Sequence, residues 1–156
     1  MNYIDPDIPM ERQIAFLRQS LVHFQLNVFE FLKERFGSEG VEIFKGIVRE
    51  GTRQGIGRLK GKSFDEIKTL ALMPDRILGL RIKQDYSEPD ELQYSITSCP
   101  YLEESRRRGL DMEFCNVMED VQVEEVSRGL AELTESTRMC RGDSQCTMRM
   151  RNTIGR

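Results

Sequence analysis

The chain has little of what marks several common classes of protein. It has no tryptophan and a single histidine, and no apolar run approaches the ~18 residues that a membrane-spanning helix needs. Its net charge of −3 gives none of the basic excess expected of a nucleic-acid binder. The first residues, MNYIDPDIPMERQ, are acidic and contain proline, unlike a secretory signal. We therefore expect a cytoplasmic protein that binds neither nucleic acid nor membrane.

Motifs for the common catalytic chemistries are also absent. The sequence has no serine elbow, no phosphate-binding glycine loop and no histidine-rich metal motif. A nucleophilic cysteine needs a base, and His23 falls within a predicted helix, where a surface or partly packed role is expected. The acidic residues around position 120 either include a general base or form a solvated helix face: Glu119, Asp120, Glu124 and Glu125.

The first half of the chain reads as helical. A length of 156 residues favours one domain, 1–156, in which 1–8 form a loose leader. Helical spacing predicts a helix over 10–36, a second over 39–59 and a short third one that opens with a capping box, Ser63 with Glu66. The predicted inner face of the first helix comprises Ile14, Leu17, Leu21, Phe24, Val28, Phe31 and Leu32. That of the second comprises Val41, Phe44, Ile47, Val48, Gly51, Gly55 and Leu59, where the glycines indicate close approach of another helix or a less ordered segment.

The second half contains strands. Apolar and polar residues alternate over 78–83 and again over 92–97, on either side of the turn SEPDE, which predicts an antiparallel hairpin. A short helix after Pro100 and a longer, interrupted helical stretch with Asp111 as cap follow. The chain then closes with strands over 133–140 and 146–151. The predicted fold is α+β, with N-terminal helices packed on an antiparallel sheet and helices inserted before a C-terminal β-hairpin.

Cysteine is absent before position 99, and the four cysteines that follow are Cys99, Cys115, Cys140 and Cys146. Thiols stay reduced in the cytoplasm, where clustered cysteines more often bind metal or do redox chemistry than form structural disulfides. Four thiolates suit either zinc or an iron–sulfur cluster, although their spacing matches no zinc ribbon or finger. Packing in the core and a reversible disulfide between Cys140 and Cys146 remain alternatives, and for Cys115 packing beside Phe114 and Met118 is one too.

Two segments, SCPYLEESRRRGLDMEFCNVMED and RGDSQCTMRM, carry a resemblance. Cys99-Pro100, Phe114-Cys115 and the Gly142-Asp143 turn before Cys146 resemble the L-2-amino-thiazoline-4-carboxylic acid hydrolase family over roughly residues 40–152. More distantly the chain is similar to 4-vinyl-reductase-type domains. That second likeness implies cysteines and a glutamate that hold zinc beside an apolar ligand pocket.

The sequence departs from the zinc pattern of the vinyl-reductase-type domains at one ligand. Counting back from Cys146 places Arg138 where that pattern has its earlier cysteine and Glu135 where it has the acid. If both positions lie on one strand, Cys140 is on the same face as Arg138 and can replace the missing ligand. The resemblance thus implies metal ligation by Cys99, Cys115, Cys140 and Cys146.

The expected function combines these inferences. We expect a module that acts in sensing or cofactor handling and contains a cysteine-ligated iron–sulfur cluster or zinc. An adjacent small-molecule pocket is expected to be lined by some of the eight methionines and eight phenylalanines. The alternative is a hydrolase of a small thiazoline-like carboxylic acid, and a third interpretation is an interaction module with structural metal. The expected partners are a small-molecule ligand and, beyond it, a second copy in a homodimer or a larger enzyme complex.

Overall fold

The computed structural model describes residues 8–153, in which helices precede and then interrupt an antiparallel sheet, as the predicted α+β class requires. Residues 1–7 of the predicted leader lie outside the described residues. The helices are α1 (Met10–Phe36), α2 (Ser38–Leu59), α3 (Phe64–Ala71), α4 (Met73–Leu78), α5 (Pro100–Arg108) and α6 (Glu113–Gly129). The strands are β1 (Arg81–Glu88), β2 (Glu91–Ser98), β3 (Glu132–Thr137) and β4 (Cys146–Arg151).

The sheet has the order β1-β2-β4-β3, with every neighbouring pair antiparallel. The central strands β2 and β4 each bury one face, because alternate side chains of a strand point the same way. Opposite one another across this pair lie Leu92 and Met150, Tyr94 and Met148, and Ile96 and Cys146. The predicted hairpin β1-β2 and the predicted C-terminal hairpin are both confirmed, and so is the shared face of Cys146, Met148 and Met150.

Local signals set most helix ends. The Ser63 hydroxyl accepts a hydrogen bond from the Glu66 backbone N–H, and the Glu66 carboxylate accepts one from the Ser63 backbone, so the predicted capping box is present at α3. At α6 the Asp111 carboxylate accepts a hydrogen bond from the Glu113 N–H, 3.1 Å away. The helix that follows is continuous and not interrupted as predicted, since Val117, Val121 and other apolar residues recur along its buried side.

The predicted inner face of α1 is wrong except at Val28 and Leu32, which are partly buried against the core. Leu17, Leu21 and Phe24 are 59%, 46% and 65% exposed, whereas Val22, Leu26 and Phe29 are buried. Helix α1 carries apolar residues on two sides, and only one side can face α2 and α5. The buried side is the one whose Phe29 packs edge-on against neighbouring aromatic rings at 5.0–5.6 Å, those of Phe44 and Phe114.

The close helix approach predicted at Gly51 and Gly55 is also wrong. A Cβ atom added at either glycine would meet nothing within 4 Å, and Ile47 beside them is 53% exposed. The tight approach occurs instead at Gly40, where an added Cβ would lie 1.9 Å from the carbonyl oxygen of Leu32. Glycine at position 40 therefore lets the start of α2 lie against α1.

Two smaller corrections concern segment ends. Leu78, predicted as strand, ends α4, because Gly79 with φ of 97° terminates that helix and β1 begins only at Arg81. Cys140, predicted as strand, lies in a single turn of 3-10 helix, Met139–Arg141, after β3 has ended. The same-face argument that placed Cys140 in a metal shell does not hold, since the strand on which it depended stops before that residue. In the described part of the chain, no helix is long and apolar enough to cross a membrane.

Candidate functional site

A large cavity lies between the helices and the covered face of the sheet. Its volume is about 820 Å³, within the range typical of small-molecule sites. The walls come from α2, α3, α4, α6 and three strands of the sheet, and they are mainly apolar. The principal apolar residues that line it are Phe44, Ile56, Leu59, Leu72, Ile96, Met118, Val126, Leu130, Met148 and Met150.

Small residues of α2 keep this space open. Gly51 and Gly55 lie one helical turn apart and both line the cavity. Both are exposed and a Cβ there would touch nothing, so larger side chains at these positions would have open space at the edge of the cavity. The glycines cost helix propensity, ~1 kcal/mol each relative to alanine, and they leave this part of the cavity wall without side chains.

Two carboxyl groups face the cavity, Glu119 from α6 and Asp75 from α4. Neither forms a hydrogen bond or a contact ion pair with any residue in the range 8–153. Burial, together with the nearby charges of Glu135 and Asp75, raises the pKa of Glu119 to about 8. Burial alone raises the pKa of Asp75 to about 6. Around neutral pH, the cavity therefore contains a predominantly protonated Glu119 near an Asp75 that is mostly ionised.

The third polar group of this wall is the hydroxyl of Tyr94, on β2. Tyr94 is 6% exposed and lines the cavity. Burial raises its pKa, and the charges of Asp75 and Glu119 raise it further. The hydroxyl has no hydrogen-bond partner among the described residues, so it is available to a ligand in the cavity. Together these groups form a patch of unused hydrogen-bonding capacity in an otherwise apolar cavity.

Two thiols, those of Cys115 and Cys140, lie in the hydrophobic core, Cys115 beside the buried aromatic rings and Cys140 between those rings and the residues that cover the sheet. Cys115, on α6, and Cys140, in the 3-10 turn, act on each other's titration, and the Cys140 thiol donates a hydrogen bond to the Asn116 side-chain oxygen, 3.5 Å away. The interaction between the two thiols lowers the pKa of Cys140 to about 7 and raises that of Cys115. Cys115 is buried and Cys140 half-buried, and both are free thiols. The structure therefore brings together two cysteines that are far apart along the chain.

The remaining two predicted ligands lie near this pair. Cys99 is half-buried beside it, and its charge raises the pKa of Cys115. Cys146 is buried, and its sulfur accepts a hydrogen bond from the Met139 N–H, 3.3 Å away. Burial raises the pKa of both thiols to about 11. These two sulfurs are consequently protonated at neutral pH, as packed core thiols are.

A buried arginine occupies the position where the zinc pattern has a cysteine. Arg138 is 4% exposed and forms ion pairs with Glu135 and with Asp120, the latter at 2.9 Å. Its charge also contributes to lowering the pKa of Cys140. Between residues 8 and 153, no three His, Cys, Asp or Glu side chains are arranged to hold a metal ion. Metal ligation by the four cysteines stays a prediction. The Glu135 carboxylate, which a metal would need as a ligand in the zinc pattern, is already neutralised by the Arg138 guanidinium.

The other candidate residues have structural roles. His23 lies 3.1 Å from the Glu104 carboxylate, which also pairs with Arg107 in the charged end of α5. Glu125 is 4% exposed and pairs with Arg49 and Arg53 of α2, so it joins α6 to α2. The predicted solvated acidic face is therefore wrong for Glu125, and also for Glu119 in the cavity wall.

Reasoning from sequence missed Asp75 and Tyr94. Asp75 follows Pro74 at the start of a helix, where an acidic residue is ordinary, and Tyr94 alternates with polar neighbours in a strand. No local signal distinguishes either residue, since only the fold places them opposite Glu119.

Comparison of the sequence with protein-family models gives no match, and comparison with curated proteins gives none either. The resemblance to the thiazoline hydrolase and vinyl-reductase families thus stays a prediction, and the cavity and its polar groups carry the functional argument.

Proposed function

We propose that the protein is a small-molecule-binding module that holds an apolar ligand in the cavity between α2, α6 and the sheet, and acts in sensing or in cofactor handling. The observation that carries the proposal is a cavity of about 820 Å³ lined by apolar side chains with a few convergent polar groups. This combination is typical of ligand sites, whereas cores that serve only stability are close-packed.

The position of the thiols supports a sensing or handling role. Met118 and Glu119 line the cavity, and Cys115 lies one turn earlier on the same helix. The partner of Cys115, Cys140, belongs to the turn that leads into β4, a strand whose Met148 and Met150 also line the cavity. A change in the ligand, in the redox state of the thiols or in a bound metal would therefore act on the same two parts of the fold, α6 and the turn that leads into β4. The zinc or iron–sulfur centre remains part of the proposal on this ground.

The test uses the neutral apolar dye Nile red, whose fluorescence rises in apolar surroundings. We expect the wild-type protein to bind one dye molecule in the cavity, and Gly55→Leu to weaken binding at least about tenfold by occupying the space. Gly57→Leu is the matched control, because Gly57 lies on the same helix, has open space around it and does not line the cavity. Both variants are expected to fold, since leucine replaces glycine within a helix.

The control matters because α1 offers a second apolar surface. Phe16, Phe24 and Phe31 are 70%, 65% and 62% exposed, and they could attract the dye. Equal binding by the two glycine variants would place the dye outside the cavity and contradict the proposal. Absence of dye binding by the wild-type protein would contradict it as well.

The predicted homodimer would depend on that α1 surface. Exposed apolar patches of this kind commonly mark contacts between proteins. We propose the homodimer on this basis, and sedimentation of the wild-type protein beside Phe24→Asp tests it. A dimer that the substitution dissociates is the expected result, and a wild-type monomer at high concentration would exclude it.

A hydrolase acting on a small thiazoline-like carboxylic acid remains the alternative function. Glu119 and Asp75 could both exchange a proton near neutral pH, since burial raises their pKa values to about 8 and about 6. The cavity is larger than such a substrate needs, and its lining is mainly apolar. Binding is therefore the function that the geometry supports best, and steady release of product from 2-amino-thiazoline-4-carboxylate would favour the alternative.

A further inference from the structure

We propose that the ligand of this cavity is an apolar molecule that carries a protonated amine, received by the carboxyl groups of Asp75 and Glu119. The inference rests on the proposed function and specifies the chemical class of the ligand. It depends on the polar lining of the cavity, to which the two carboxyl groups and the Tyr94 hydroxyl all belong, and none of the three has a hydrogen-bond partner within residues 8–153.

The acidic wall selects among three kinds of apolar ligand. An anionic group placed there would lie against Asp75 and the electron-rich oxygen atoms around it, with unfavourable charge interaction. A neutral group could accept or donate hydrogen bonds but would leave the Asp75 carboxylate uncompensated in an apolar surrounding. A protonated amine supplies both the hydrogen-bond donors and the opposite charge, and it can donate to the Tyr94 oxygen as well.

The two basic residues of the cavity lining do not reverse this preference. Arg58 is exposed, and Lys62, which lies 4.0 Å from the Glu66 carboxylate, is half-buried with 38% of its side chain exposed. Water and salt screen charges that reach the solvent, whereas Asp75 and Glu119 act from surroundings that water screens much less. The desolvated acidic groups therefore dominate the choice of ligand, and the bulk of the cavity accepts the apolar part.

The experiment compares decylamine, decanol and decanoate, which share one alkyl chain and differ in the charge of the head group. Each is titrated into the full chain and measured by displacement of Nile red. We expect decylamine to bind at least about tenfold more tightly than decanol, the difference between a charge-assisted and a neutral hydrogen bond, and decanoate to bind weakest.

Two variants test whether the carboxyl groups cause the preference. Glu119→Gln and Asp75→Asn should each lower the ratio of decylamine to decanol affinity at least about threefold and leave decanol binding nearly unchanged. Asp75→Asn removes a charge, Glu119→Gln removes a carboxyl group that can lose its proton beside a bound cation, and both substitutions keep the shape of the side chain. Either variant suffices if the other fails to fold. Glu124→Gln is the matched control, because Glu124 lies on the same helix, pairs with Arg128 and is not part of the cavity lining.

The outcomes separate this inference from the proposed function. Equal affinity for decylamine and decanol, tightest binding of decanoate, or an unchanged ratio in both carboxyl variants would overturn the amine assignment. In each of these cases the cavity would still bind apolar molecules. Failure of all three probes and of the dye to bind would overturn the proposed function itself.

Discussion

Replacing Glu119 with glutamine should make the protein increasingly more stable than the wild type as the pH rises from 5.5 to 7.5. Burial raises the pKa of Glu119 from 4.5 to about 8 in the folded protein, so the folded state keeps a proton that the unfolded state releases. A rise in pH therefore favours the unfolded wild type until the folded pKa is passed. Glutamine has no such proton, and its stability lacks this dependence.

The magnitude follows from linkage. Between the two pKa values, each pH unit changes the free energy of unfolding by about 1.4 kcal/mol for one proton. Over two pH units the limit is about 2.7 kcal/mol, and a half-buried carboxyl that reaches cavity water should deliver about 1–2 kcal/mol of it. Asp75, whose pKa burial raises to about 6, adds a loss of the same sign over lower pH, but it is present in both proteins.

The assay is urea unfolding at pH 5.5, 6.5 and 7.5, followed by far-ultraviolet circular dichroism, for the wild type and for Glu119→Gln. Glu124→Gln again serves as the control and should show a constant difference from the wild type. A difference between the wild type and Glu119→Gln that does not change with pH would refute the reasoning, because the carboxyl group would then titrate alike in the folded and unfolded states.

Three further predictions concern the core, the thiols and the metal. Phe29→Ala should lower the free energy of unfolding by about 3–5 kcal/mol, and Phe24→Ala by no more than about 0.5 kcal/mol. Equal losses measured by urea unfolding would contradict the burial of Phe29 and the exposure of Phe24. Cys115→Ala should move the midpoint of Cys140 alkylation by iodoacetamide upward from about pH 7, since the Cys115 thiol lowers the pKa of Cys140. An unchanged midpoint in alkylation rates mapped by mass spectrometry would contradict this. Anaerobically purified protein should contain zinc or a coloured iron–sulfur cluster. Cys140→Ser should lower the metal content and His23→Gln should not, whereas metal-free wild-type protein would rule out the metal centre.

The sequence by itself determined the elements whose causes are local. The capping box at Ser63 and Glu66, the turn between β1 and β2 and the alternation of Cys146, Met148 and Met150 each depend on residues a few positions apart. Hydrogen bonds and side-chain directions over such short distances follow from the residue types, and so does the α+β class that these elements make up. The extent of α1, Met10–Phe36, was predictable for the same reason.

Only the tertiary structure decided which surfaces and groups meet. Both sides of α1 are apolar, so spacing could not tell that Phe29 and not Phe24 enters the core. Asp75 and Glu119 reach one cavity, and Cys115 and Cys140 shift each other's pKa, only because distant elements pack together. Burial raises the pKa of Glu119 for the same reason, since the number of water molecules around a carboxyl group depends on the whole fold and not on its neighbours in the chain.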